Sequence, residues 1–194
     1  MKHSILIIGS SGYLGRNLKK FLSKKHQIID NSSKKKINIC NYNHLENFFK
    51  KNKVDFLINS SGQISSNIKK FKRESLIGNK NIILLAKKFN FKVIFLSTTS
   101  VFGKNKDVYI SVKLKSEDLY LQSDIDYKIL RIGNVYDSNF KKKGLLKNLV
   151  SYFNGEINFI KISNIKIYRN FIHIDDFSSQ VSLIIDKWKK LKSF

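Results

Sequence analysis

The chain has 194 residues, one cysteine, 42% apolar residues and a formal net charge of +23. That length suits a single domain with a sizeable core. No apolar run reaches the roughly 18 residues that span a bilayer, and the lone Cys40 excludes an internal disulfide and fits a reducing cytoplasm.

The charge invites a nucleic-acid reading, and the residue types argue against it. Only Arg16, Arg73, Arg131 and Arg169 accompany the lysines, whereas arginine is the residue that forks onto phosphates and reads bases. The lysines fall on the polar faces of successive helices, as a solvated surface with weak attraction for anions. The expectation is therefore no specific nucleic acid and no membrane. The first residues lead directly into a strand, which predicts no secretory leader.

Residues 5–8, Ile-Leu-Ile-Ile, read as a strand buried on both faces. Gly9-Ser10-Ser11-Gly12-Tyr13-Leu14-Gly15 follows, and then Leu14, Leu18, Phe21 and Leu22 recur at helical spacing. Strand, glycine turn and helix in that order form a cradle for a dinucleotide pyrophosphate. Glycine lets the backbone approach the phosphates, and the helix N-terminus carries partial positive charge.

Residues 27–29 predict a second strand ending at Asp30, and 37–39 a short third one. A helix over 42–51 has Asn41 or Asn43 as its cap. Residues 54–58 make a strand that runs into Asn59-Ser60-Ser61-Gly62, 74–89 a helix, and 93–96 a fully apolar strand before Ser97-Thr98-Thr99-Ser100. Helix 109–121, strand 127–132 and helix 145–153 follow, with short strands at 157–162 and 165–168 and a closing helix at 177–191. This alternation predicts an α/β fold of Rossmann type: a doubly wound parallel sheet with helices on both faces. Ligands of such sheets bind outside the carboxyl ends of the strands, where Gly9, Asp30, Asn59 and Thr98 fall.

Tyr109 and Lys113 stand four apart at the start of a helix and so share a face. A nearby ammonium favours phenolate, which would bring the tyrosine pKa down from about 10 and let it exchange a proton with a hydroxyl or ketone. A hydroxyl from the Ser97–Ser100 stretch could bind the same oxygen. Elsewhere the bland readings prevail: His173 as a packed, hydrogen-bonded histidine, and Asp175 and Asp176 as the cap and charge of the last helix. His3, His26, His44 and Cys40 have no metal-ligand spacing.

Taken together, these segments resemble the extended branch of the short-chain dehydrogenase/reductase superfamily. That branch holds the NAD-dependent nucleotide-sugar epimerases, dehydratases and dTDP-4-dehydrorhamnose reductases. The resemblance rests on six segments in order: 9–15, Asn-Ser-Ser-Gly at 59–62, Ser-Thr-Thr-Ser-Val-Phe-Gly at 97–103, Tyr109-Ile-Ser-Val-Lys113, Leu130-Arg131-Ile-Gly-Asn134-Val-Tyr136, and Arg169-Asn-Phe-Ile-His-Ile-Asp-Asp176. Ser75 and Asp137 depart from the family pattern, which often has asparagine and glycine there. The loop from Thr98 to Tyr109 is also shorter than in typical members.

The resemblance implies Tyr109 as acid/base, Lys113 as its tuner and a ligand of the nicotinamide ribose, and Thr98 as the catalytic hydroxyl. It places Gly9, Ser11, Gly12, Tyr13, Leu14 and Gly15 along the pyrophosphate, and Ser60, Ser61 and Gly62 beside the cofactor. Asn38 and Ile39 fall beside adenine, and Thr99, Asn134 and Arg169 on the substrate. Asp30 would accept the adenosine ribose hydroxyls, which favours NAD, although it has a plainer reading as a loop cap. Ser32, Ser33 and Lys34 could accommodate a 2′-phosphate and leave NADP open. The implied protein is one NAD(P)-binding domain over 1–194 with a partial substrate lobe over about 134–170.

Its expected work is 4-keto-sugar chemistry on a nucleotide-activated sugar, in surface polysaccharide synthesis. It would be cytoplasmic, with a homodimer among the partners it allows and no metal. The alternatives are a small-substrate ketoreductase, or a dinucleotide-binding sensor or structural protein that has lost turnover.

Overall fold

A computed structural model describes residues 2–29, 37–62, 67–104, 107–138, 144–161 and 169–189. Strands β1 (Ser4–Ile8), β2 (Gln27–Ile29), β3 (Phe56–Asn59), β4 (Lys92–Thr98) and β5 (Tyr127–Ile132) form one parallel sheet in the order β2-β1-β3-β4-β5. The chain leaves β1 toward β2 and then crosses to β3 on the other side. The resulting crevice, at the point where the winding reverses, lies at the glycine turn after β1.

Alternation along each strand divides the core in two. Ile5 and Ile7 of β1, Phe56 and Ile58 of β3 and Ile94 and Leu96 of β4 pack under α1 (Tyr13–Leu22) and α6 (Ile174–Asp186), through Leu18, Leu22, Val181 and Ile185. Leu6, Ile8, Leu57, Val93 and Phe95 face the other way. They pack under α2 (Tyr42–Lys51), α3 (Ile68–Phe89) and α4 (Val108–Leu121), through Leu45, Phe49, Ile82, Leu85 and Tyr120. With apolar residues on both sides of each central strand, only a three-layer sandwich buries them all. Among the described residues the remaining elements are a 3₁₀ turn (Thr99–Phe102), a parallel pair, β6 (Asn134–Tyr136) with β7 (Phe171–His173), and α5 (Leu145–Phe153).

The expected elements are largely present, with several differences. Strands β6 and β7 have no counterpart among the expected elements, and α6 ends at Asp186, short of the expected 191. Residues 37–39 are not a strand: Asn38 closes a turn, accepting from the Asn41 and Cys40 amides at 3.1 and 3.0 Å, and the Asn81 side chain takes the Ile39 carbonyl at 2.9 Å. Helix α3 begins at Ile68, six residues before 74, because the Asn67 side chain caps it on the Lys70 amide at 2.9 Å and Phe71 is buried. Residues 157–161 form no strand, and Phe159 stands 78% exposed; the expected strand at 165–168 lies outside the described residues. Helix α6 starts at Ile174, with the His173 ring as its cap on the Asp175 amide at 3.3 Å, while Asp175 and Asp176 supply only first-turn charge.

At the end of the sheet away from the crevice, His26 is buried and stacks on His3 at 5.6 Å. Burial holds the His26 pKa below its ordinary value; Asp186 opposes this, and His3 and Lys25 reinforce it. A histidine kept neutral in the fold adds stability that is complete above pH 6.5, its unfolded value, and is lost as pH falls below it. Thermal melts from pH 7.5 to 5.0 should therefore show falling stability, and His26→Gln should flatten that slope.

Candidate active site

The glycine turn is held tightly. Gly9 has φ +80°, and the Gly12 amide bonds back to the Gly9 carbonyl at 3.0 Å. A Cβ on Gly9 would lie 2.9 Å from Ser60 Oγ, and one on Gly15 would lie 2.8 Å from both the Gly9 carbonyl carbon and Ser60 Oγ. Ser60 is fixed in turn, its hydroxyl and amide both donating to the Ile8 carbonyl at 2.6 and 3.0 Å. Side chains at Gly9 and Gly15 would press on Ser60 and on the Gly9 backbone, so the turn can close this tightly only on glycine.

Beyond the turn is a cavity of about 480 Å³. Its walls carry Gly12 to Gly15 from the start of α1, Ser60 to Gly62 after β3, Thr98 at the end of β4, Tyr109 and Lys113 on α4, and Gly133. Asp107 caps α4 on the Ile110 amide at 2.8 Å, which sets Tyr109 in its first turn. Thr98 caps the 3₁₀ turn Thr99–Phe102, its Oγ1 accepting from the Ser100 amide at 3.2 Å. Lys113 is buried. Its ammonium donates to the Leu96 carbonyl at 2.8 Å and the Ser61 carbonyl at 3.4 Å, and sits 4.8 Å from the centre of the Phe95 ring.

Burial pulls the Lys113 pKa down to about 8, with Glu117 one turn away opposing the shift. The expected lowering of the Tyr109 pKa is not found. Burial, followed by the Asp107 carboxylate, pushes that phenol up, and the Lys113 ammonium is spent on two carbonyls. In the ligand-free protein the pair is therefore a protonated phenol beside a lysine that titrates close to neutrality.

Other predicted positions divide. Asn38 and Ile39 line a second cavity of about 340 Å³ with Phe71, Glu74 and Ser75, joined to the first through Ser61 and Gly62. Asn134 and Arg169 come together in a third, of about 180 Å³, with Asp137 and Lys147. Thr99 is not on the wall of any of these three cavities; its hydroxyl donates to the Ile132 carbonyl at 3.5 Å. Ser11 is exposed at the turn. Asp30 lies outside the described residues.

Sequence reasoning missed the role of Asp137, which accepts from the Tyr13 hydroxyl at 3.0 Å and so ties the glycine turn to the Asn134 cavity. Its departure from the family glycine was the available signal. Among the described residues, no three His, Cys, Asp or Glu are grouped as a metal site would require, and no helix is long and apolar enough to cross a membrane.

Glu117 anchors α4 to the sheet. It is 2% exposed and accepts from Arg131 Nε at 3.2 and 3.1 Å and from Nη2 at 2.7 Å. Removing the carboxylate empties a buried position and takes three charge-assisted bonds from the exposed Arg131 guanidinium. Glu117→Ala should cost about 2 kcal/mol, between a surface and a fully buried pair, and lower the melting temperature by roughly 6 °C.

Residues 5–193 match the NAD dependent epimerase/dehydratase family. The chain belongs to that family. No protein of curated function matches this epimerase/dehydratase chain by sequence. Solved structures share its fold. A dTDP-4-dehydrorhamnose reductase from Clostridium acetobutylicum is 22% identical, with a TM-score of 0.79 over 98% of this chain and 72% of that one. The Bordetella bronchiseptica enzyme WbmG in complex with NAD is 18% identical, with a TM-score of 0.76 over 94% and 68% of the two chains. A GDP-mannoheptose C4 reductase from Campylobacter jejuni with NADP bound is 17% identical, with a TM-score of 0.74 over 99% and 78%.

Proposed function

We propose that this chain is an NAD(P)-dependent enzyme of 4-keto-sugar chemistry, acting on a nucleotide-activated sugar. The observation that carries the reading is the 480 Å³ cavity, where the glycine turn, Thr98, Tyr109 and Lys113 meet although the sequence spreads them over a hundred positions. The cradle fits a dinucleotide. Its glycines pack against one another and against Ser60 too closely for a Cβ, which keeps the turn tight, α1 opens onto it with the positive end of the helix, and its Gly12 cap makes no side-chain bond across the entrance.

When bound, the nicotinamide supplies the acceptor or donor of a hydride at a sugar carbon. Tyr109 moves the matching proton at the sugar oxygen, and the Thr98 hydroxyl holds that oxygen in line. Lys113 keeps one ammonium N–H beyond those given to the Leu96 and Ser61 carbonyls, and orients a ribose hydroxyl with it. Asn134, Lys147 and Arg169 offer an amide and two cations to the nucleotide diphosphate, in the cavity next to the first. The solved structures that share the fold include proteins bound to NAD, NADP and UDP, which agrees with this reading.

Surface-polysaccharide synthesis in the cytoplasm, a homodimer, and no specific nucleic-acid or membrane partner belong to the same proposal. Titration with NADH and NADPH, followed by a screen of nucleotide sugars for turnover, tests it. One dinucleotide should bind and at least one sugar should turn over; binding of neither dinucleotide would sink the enzyme and sensor readings together.

A further inference from the structure

Three polar side chains in the apolar layer between the sheet and α3/α4 are not used by the chemistry above: Asn59, Asn79 and Tyr120, which are 0%, 3% and 0% exposed. Burying two amides and a phenol is costly unless every group is bonded, and apolar residues would pack there at lower cost. Here they are bonded in one direction. The Asn79 amide nitrogen donates to the Ser75 carbonyl at 2.8 Å, which turns its oxygen toward the sheet. That oxygen accepts from the Tyr120 hydroxyl at 2.7 Å and from the Asn59 amide nitrogen at 2.9 Å. Asn59 then presents its own oxygen to Ser61, accepting the Ser61 amide at 3.1 Å and the hydroxyl at 2.5 Å.

The chain of bonds thus leaves the core and ends on a half-buried residue in the wall shared by the first two cavities. With its amide and hydroxyl both held by Asn59, Ser61 has its carbonyl facing Lys113, whose ammonium donates to it at 3.4 Å. Gly62 follows at φ +123°, close enough that a Cβ there would lie 3.0 Å from Lys113 Nζ. A small rotation of this turn would therefore move a wall of the cleft and one of the two acceptors of Lys113.

We propose that Tyr120 and Asn79 are positioning residues, which act through Asn59 to set the Ser61–Gly62 turn, and Lys113 with it, for dinucleotide binding. This rests on the dinucleotide reading of the cleft. A merely structural pair would affect stability alone. A positioning pair also governs affinity and the pH dependence set by Lys113.

The variant is Tyr120→Phe, which keeps the ring stacked on Phe95 at 5.0 Å and removes one bond. Phe91→Leu is the control: it loosens the same core layer through Phe49, at the opposite end of β4 from Thr98. In Tyr120→Phe the dinucleotide dissociation constant should rise about tenfold with kcat within about twofold. The alkaline limb of binding should move to lower pH, and the Ser61 amide should exchange faster in the ligand-free protein. Phe91→Leu should melt lower and bind as wild type. Should Tyr120→Phe not fold, Asn79→Ser, which keeps a hydroxyl as acceptor, takes its place with the same expectations.

Unchanged affinity in the variant, or an equal loss in Phe91→Leu, would overturn the proposal. Failure of the wild type to bind either dinucleotide would instead remove the functional reading of the cleft, and the positioning role with it.

Discussion

Tyr109→Phe should lower nucleotide-sugar turnover by about 10²- to 10⁴-fold, the usual contribution of a positioned acid/base, while dinucleotide affinity stays within about tenfold. The ring remains, half-buried and stacked near Phe71 at 6.2 Å, so the cleft keeps its shape and only the proton carrier is lost. The pH dependence separates Tyr109 from its neighbour. Lys113, with a pKa down to about 8, is charged at neutral pH and loses its proton as pH rises above that value. A pyrophosphate-bearing ligand favours the charged form, so dinucleotide binding should raise the Lys113 pKa, and affinity should fall as pH climbs from 7 to 9.5. Lys113→Met should bind weakly with little such slope, whereas Tyr109→Phe should keep the slope and lose the turnover. Calorimetric titrations across that range, with initial rates beside them, check both statements. Turnover at the wild-type level in Tyr109→Phe would reassign the acid/base.

Gly15→Ala should abolish measurable dinucleotide binding, a weakening of about 100-fold or more, and cost about 1–3 kcal/mol of stability through overpacking. The added carbon would press on the Gly9 backbone and on Ser60 Oγ, 2.8 Å away, and neither is a flexible side-chain end that can swing clear. The hydroxyl is pinned to the Ile8 carbonyl at 2.6 Å, and the Gly9 carbonyl already accepts the Gly12 amide. Relief has to come from the turn itself, which is the surface the ligand would lie on. Gly12→Ala is the graded comparison. Its nearest contact would be the Gly9 oxygen at 3.3 Å, which a shift of a few tenths of an ångström relieves, so about tenfold weaker binding is expected. Equal affinities for the two variants would show that the turn does not carry the pyrophosphate.

The sheet, its layers and the cleft were legible because their signals are local and redundant. Ile5 to Ile8 could be only a strand buried on both faces, and the glycines after it only a close backbone approach. Helix α2 matched its bounds because the Asn41 cap and the Leu45/Phe49 stripe agree. Where a single apolar residue carries the pattern, reading failed: the first turn of α3 shows Phe71 among Lys69, Lys70, Lys72 and Arg73, which masks its period. The 37–39 stretch has strand-like residues, but its backbone is claimed by Asn38 and Asn81, a tertiary fact.

The site divides in the same way. Residue types and order located Tyr109, Lys113 and Thr98, yet the direction of the Tyr109 shift depends on burial and on which carbonyls Lys113 meets, and spacing holds neither. The bond from Tyr13 to Asp137 and the chain from Tyr120 to Ser61 join residues 124 and 59 positions apart. No local pattern announces such partners.

The sole tryptophan gives the molecule an optical ruler. Trp188 donates its indole proton to Asp126 at 2.7 Å and lies under the ammonium groups of Lys128 and Lys92, 4.8 and 5.9 Å from its ring, edge-on to Phe56. It is 6% exposed and sits by Lys92, the first residue of the strand that ends at Thr98 in the cleft. Six residue steps of extended chain separate those ends, roughly 20 Å. Indole emission overlaps the absorption of a reduced nicotinamide, so a dinucleotide in the cleft would quench Trp188 by energy transfer across the sheet. The indole touches nothing in the cleft, so its emission wavelength should stay fixed as the intensity falls. A shift in wavelength would mean that the turn after α6, which carries Trp188, had begun to leave the sheet.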